Sequence, residues 1–204
     1  MTKTILNSDF LISKSEICLV NMPFYSLEFP SIGLGTLKSI LQCAHINTSV
    51  IHANMLFAEK IGIEKWHTIL SYTSTTNVQE WLFSDYLHNS PHNIKKNNEE
   101  YFKLILPDLK FKIENGLLEP NNKIRNIDIK KELLLIKKSA TKFIDDLAQI
   151  ILTKEPKVVG CSSVFAQNLA SLALLRKVKE LAPKVFTILG GPNCSGDMGI
   201  AMIK

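Results

Sequence analysis

The chain has 204 residues, 46% hydrophobic and 21% charged, with a formal net charge of +5. That length suits one α/β domain with a sizeable core, and the composition is that of an ordinary globular protein rather than a disordered one. No run approaches the roughly 18 apolar residues of a membrane span, and the N-terminal MTKTILNSDFLISKSE carries no cleavage pattern. A cytoplasmic location with no membrane partner is therefore expected.

In chain order, EICLVNMPF (16–24) predicts a buried strand, Ile17–Asn21, stopped by Pro23. Ser31 is placed to cap a helix over IGLGTLKSILQCA, with Leu34, Leu37, Leu41 and Ala44 on one face. INTSVIHAN (46–54) predicts the next strand, which makes a strand–helix–strand unit of right-handed parallel type. Residues 55–152 interrupt that rhythm as a mostly helical insertion. MLFAEKIG and NVQEWLFSDYL look helical, with Trp81, Phe83 and Tyr86 available for packing, and HNSPHNIKKNN (88–98) reads as a polar loop. Residues 127–152 predict a long amphipathic helix. Its apolar stripe is Leu133, Ile136, Ala140, Phe143, Leu147 and Ile151, with Lys130, Lys137, Asp145 and Gln149 opposite.

The lysine pairs Lys95-Lys96, Lys130-Lys131 and Lys137-Lys138 sit among acids at helical spacing. They read as a solvated face, and no nucleic-acid partner is expected. The parallel pattern resumes with strand 157–161, helix 167–182 and strand 185–189. In that helix Leu169, Leu172, Leu175, Val178 and Leu181 are expected inward. The fold class is therefore α/β: a Rossmann-like parallel sheet of about four strands with a large helical insertion, in a single domain over 1–204.

In open parallel sheets, ligands bind beyond the carboxyl ends of the strands. Those ends carry Asn21, Met22, Pro23 and Phe24; Ser162, Ser163, Val164 and Phe165, with Gln167 next; and Gly190, Gly191, Pro192 and Asn193. Paired glycines admit a ligand to the backbone, and serines supply hydroxyls without bulk. The same glycines could equally serve only to shape a turn. The dinucleotide fingerprint fails, because GLGTLK places Lys38 where its third glycine belongs. There is no phosphate loop and no G-x-S-x-G elbow, and the five histidines have no metal spacing. The cysteines Cys18, Cys43, Cys161 and Cys194 form no CxxC pair and read as reduced thiols. No catalytic residue and no metal ligand is assigned.

A resemblance adds to this. VNMPFYSLEFPSIGLGTLKSIL, NMLFAEKIG, EWLFSDYL, VVGCSSVFAQNLASLALLRKVKE and LGGPNCSGDMG follow one another in order. The set resembles the N-terminal half of the bacteriocin and RiPP maturation radical SAM proteins, a cobalamin-dependent radical SAM family, over about residues 17–203. The resemblance implies a cobalamin-binding domain that holds a methyl-carrying corrinoid for a peptide C-methyltransferase. The shelf of Ser162, Ser163, Gly190 and Gly191 would take the corrin and its nucleotide tail.

It also implies a C-terminal radical SAM domain, with S-adenosylmethionine and a four-iron cluster, and a ribosomal precursor peptide as partner. The sequence holds no such barrel and no CxxxCxxC, so the chain is expected to be the cobalamin-binding portion and not catalytic alone. Other cobalamin proteins carry a DxHxxG histidine after the first strand. Here that loop is NMPFYSLEFPSIG, so no lower cobalt ligand is expected from it. Two other readings stay open: a non-catalytic interaction module gripping a precursor peptide or partner enzyme, and a flavodoxin-like ligand-binding domain.

Overall fold

The computed structural model describes residues 14–71, 77–88, 90–115 and 129–203. Among the described residues the sheet has four parallel strands: β1 (Ile17–Asn21), β2 (Thr48–His52), β3 (Val158–Ser162) and β4 (Phe186–Gly190). Their order is β2-β1-β3-β4. Each is a short β-branched or apolar run, the composition of a strand buried in a parallel sheet. The chain leaves β1 toward β2 and later returns past β1 to form β3. The β1/β3 boundary is thus where the connections diverge, the position at which such sheets open a crevice.

One face of the sheet carries the main core. Cys18 and Val20 of β1, Ile51 of β2, and Val159 and Cys161 of β3 are buried there. They pack against α2 (Ala53–Ile61), α3 (Ile63–Ser71), α6 (Ile129–Leu152) and α7 (Asn168–Leu181). The short helix α4 (Val78–Trp81), a 3-10 turn over Ser84–Leu87 and α5 (Pro91–Glu114) complete that layer. In α6 all six expected apolar positions are buried. Each of the leucine, isoleucine and phenylalanine side chains among them stabilises by roughly 1.5–3 kcal/mol before entropy is counted.

The other face is half bare. Among the described residues only α1 (Ile32–Cys43) lies on it, over β1 and β2, where Leu34 meets Leu19 and Val50. Phe186 and Ile188 of β4 stay 71% and 56% exposed. Parallel sheets are normally covered on both faces. The last helix, α8 (Gly196–Ile203), packs on the 3-10 turn Pro192–Cys194 that precedes it, and leaves Met198 and Ile200 exposed.

Several expectations are corrected. Residues 91–98, expected in a loop, are helical: Pro91 opens α5, with the Ser90 hydroxyl accepting from the Asn93 amide at 3.2 Å. Proline suits a first helical position because its missing N–H would have no partner there anyway. In α1, Ser31 does cap, accepting from the Leu34 amide, but Leu37 and Ala44 stand in solvent because the sheet beside them is bare. In α7 the buried stripe is Ala170, Ser171, Ala173, Leu174, Leu175 and Val178, while Leu181 is exposed.

Lys137 is not on the solvated face either. It is 2% exposed, and its ammonium donates to the Trp81 carbonyl at 2.8 Å and the Ser84 hydroxyl at 2.8 Å, and pairs with Asp85 at 2.9 Å. β3 and β4 each run one residue further than the sequence suggests, so Ser162 and Gly190 are strand residues in register with each other. No helix among the described residues is long and apolar enough to cross a membrane.

Candidate functional site

The segments after β1, β3 and β4 meet at the carboxyl edge of the sheet, so the sequence-selected residues do gather in one place. Most of them are occupied with one another. Gln167 is fully buried. Its amide nitrogen donates to Asn21 Oδ1 at 3.1 Å and to the Met22 carbonyl, and its Oε1 accepts from the Val164 amide at 3.1 Å. Asn21 Nδ2 donates to Asn54 Oδ1 at 3.3 Å, and Asn54 Nδ2 donates to the Ser26 carbonyl at 2.9 Å. A continuous relay of side-chain amides thus joins the loop after β3 to the loop after β1.

A second clasp joins β3 to β4. The Ser163 hydroxyl donates to Asn168 Oδ1 at 2.6 Å and accepts from Asn193 Nδ2 at 3.2 Å. The Ser163 amide donates to the Gly190 carbonyl at 2.7 Å. Asn193 Nδ2 also reaches the Phe165 carbonyl at 2.8 Å. Gly191 belongs to this clasp. Its φ is +111°, and a Cβ there would lie 2.5 Å from the Ser163 carbonyl oxygen. The backbone itself therefore requires glycine at 191. Ser163 and Gln167 are likewise walled in, as are Met22, Pro23 and Phe24.

What remains open is narrower. Ser162 and Gly190 face each other across β3 and β4. By strand alternation both lie on the bare face, because Val159 and Cys161 point into the main core. A Cβ on Gly190 would meet nothing within 4 Å. The Ser162 hydroxyl is enclosed and has no hydrogen-bond partner, which is uncommon for a buried polar atom. A polar atom without a partner beside an empty Cβ position is a place where a ligand group can settle at little cost. Pro192 is exposed at the rim.

Comparison with protein-family models, curated proteins and solved structures finds no match.

On the other side of the edge lies a cavity of about 670 Å³, lined by residues 24–29 and by Trp66, His67, Leu70, Gln79, Phe165 and Ala166. Phe24 packs on Trp66 with ring centroids 4.6 Å apart, and both are buried. Phe165 is 79% exposed at φ +53°, a left-handed backbone that bulky residues seldom adopt. Gln167, holding Val164, and Asn193, holding the Phe165 carbonyl, fix it there.

Two participants, Asn54 and Glu80, escaped the sequence reading. Asn21 and Asn54 carry the relay, and Glu80 caps α7 by accepting from the amides of Asn168 at 3.1 Å and Leu169 at 2.7 Å. Burial raises the Glu80 carboxyl above its ordinary range, with those amides pulling the other way. An asparagine just past a strand end was a usable signal. A capping residue 88 positions away in sequence was not.

The two strand thiols are quiet. Cys18 and Cys161 are buried in the neighbouring strands β1 and β3, and burial pushes Cys18 up to about 11 and Cys161 higher still. Among the described residues, no group of three or more His, Cys, Asp or Glu stands together as a metal site.

Proposed function

We propose that this chain is a cobalamin-binding domain of a radical SAM peptide-maturation system of C-methyltransferase type. It would hold the corrinoid over the carboxyl ends of β1, β3 and β4. The observation that carries the reading is the register pair Ser162–Gly190, a partnerless hydroxyl beside a glycine with open space above it, on a bare sheet face.

The residues fit such a group in a limited but specific way. Gly190 lets a flat or chain-like part of the ligand lie on the backbone. The Ser162 hydroxyl would donate to a polar atom of the nucleotide tail. Gln167, Ser163, Asn168 and Asn193 hold the floor rigid behind them. Bound cobalamin would supply a carrier for a methyl group. The radical SAM domain, its S-adenosylmethionine and its four-iron cluster, and a precursor peptide as substrate, belong to this proposal and rest on the resemblance alone.

The test is retention of hydroxocobalamin through desalting, read by visible absorbance. Wild-type chain is expected to keep close to one equivalent. Gly190→Val and Ser162→Val should each lower affinity by about tenfold or more, equivalent to about 1.4 kcal/mol, with unchanged thermal unfolding. Full retention by both variants would overturn the placement. No retention by wild type would overturn the ligand, and retention of a flavin instead would favour the flavodoxin-like reading.

One observation favours a second reading. Phe186 and Ile188 are exposed on β4, which has no strand on its outer side among the described residues. An open edge and an apolar face suit an interaction module that docks a partner enzyme or precursor peptide.

A further inference from the structure

The 670 Å³ cavity beside Phe24 is separate from the Ser162–Gly190 pair and is built from a different kind of residue. Five of its lining residues are aromatic: Phe24, Tyr25, Phe29, Trp66 and Phe165. Among the described residues no lysine or arginine lines the cavity, and the one carboxylate that does is Glu28. Aromatic faces present negative potential, and with a carboxylate at the rim they form an environment for a soft cation. A small ammonium loses strong hydration on entering such a site. An alkylated one loses little and keeps its methyl groups against the rings.

The exposure pattern points the same way. Phe29 and Phe165 are 66% and 79% exposed at the mouth. Phe165 costs stability twice, as an exposed aromatic and as a non-glycine residue at positive φ. Two independent hydrogen-bonded devices nevertheless hold it in place, the Gln167 amide on Val164 and the Asn193 amide on its own carbonyl. The opposite wall is tied to the same relay, because Asn54 holds the Ser26 carbonyl. Both walls of the cavity are thus set in position before any ligand arrives.

We infer that this cavity is an aromatic cage for an alkylated ammonium group, with Phe29, Tyr25 and Phe165 around the cation and Glu28 as its counter-charge. The floor is the tilted Phe24–Trp66 pair, with ring planes 33° apart.

The experiment uses choline and its neutral carbon isostere, in which a quaternary carbon replaces the nitrogen, on the full chain without added corrinoid. The chain has two tryptophans, so its indole N–H resonances can be assigned with Trp66→Phe. Choline should shift the Trp66 signal and bind at least tenfold more tightly than the isostere. Glu28→Gln, Phe29→Ala and Phe165→Asn should each weaken choline by about 3-fold or more; asparagine is chosen at 165 because it tolerates left-handed backbone. Equal binding of the two compounds would overturn the cage in favour of a plain apolar pocket. Absence of any shift, or full affinity in all three folded variants, would also overturn it. None of these outcomes depends on whether the chain takes cobalamin.

Discussion

Gln167 Nε2 lies 3.1 Å from Asn21 Oδ1, which joins the loop that follows β3 to the last residue of β1. The two residues are 146 positions apart and both are buried. That bond lies at the β1/β3 boundary, where the connections diverge.

Replacing Gln167 by methionine, which keeps its volume, should therefore be costly. It leaves the Val164 amide and Asn21 Oδ1 without their partner in a buried setting, and each such loss costs about 1–3 kcal/mol. Urea unfolding should show a destabilisation of about 2–4 kcal/mol with an unchanged m-value. A loss under about 0.5 kcal/mol would mean that water replaces the amide freely.

The adjacent glycines should behave oppositely. Gly191→Ala places a methyl 2.5 Å from the Ser163 carbonyl at φ +111°, and should cost about 2–4 kcal/mol by thermal unfolding. Gly190→Ala meets open space and should be neutral, or stabilising by up to about 1 kcal/mol. Similar effects at both positions would contradict the clasp.

Lys137 gives a pH signature. Burial, opposed by Asp85, brings its ammonium from the ordinary 10.5 down to about 8. Between those values the unfolded chain holds the proton and the folded chain does not, so this group makes stability rise with pH across that window. The buried thiols Cys18 and Cys161, with raised values, act in the opposite sense above about pH 9. The clean quantity is the difference between wild type and Lys137→Met. Wild type should gain on the variant from pH 8 upward, by at most about 3 kcal/mol at pH 10.5. A difference that stays flat with pH would show that Asp85 offsets the burial.

Thiol accessibility offers a simple check. Cys43 is exposed, Cys194 intermediate, and Cys18 and Cys161 buried. An aromatic disulfide reagent should modify Cys43 first and Cys194 more slowly. The other two should react only on unfolding. Fast reaction of Cys161 would contradict the sheet order.

Strands and the apolar stripe of α6 were legible because alternating or 3.6-period burial leaves a mark on every residue of the element. Helix α5 was obscured by HNSPHN, although Ser90-Pro91 is a start signal in its own right. Lys137 defeated the periodicity argument, since its three partners lie in 81–85 and cannot be inferred from α6. At the site, the residue types pointed to the correct edge of the sheet. Which glycine serves the backbone and which is open depends on whether Ser163 lies against it, a distance that spacing does not encode.

The arrangement of β1 has a kinetic consequence. This central strand pairs with β2 through a short local crossover, but its pairing with β3 brings Glu16 and Lys157 together across 141 residues. The unit β1–α1–β2 closes a small loop and is expected to form early. Addition of β3 waits for the large loop to close and for α6 to dock, and is expected to limit the refolding rate. Pulse-labelled hydrogen exchange during refolding should protect the amides of β1 that bond to β2 before those of β3, and the outward-facing amides of β4 should remain the fastest to exchange in the native state. Simultaneous protection of β2 and β3 would refute this order of assembly.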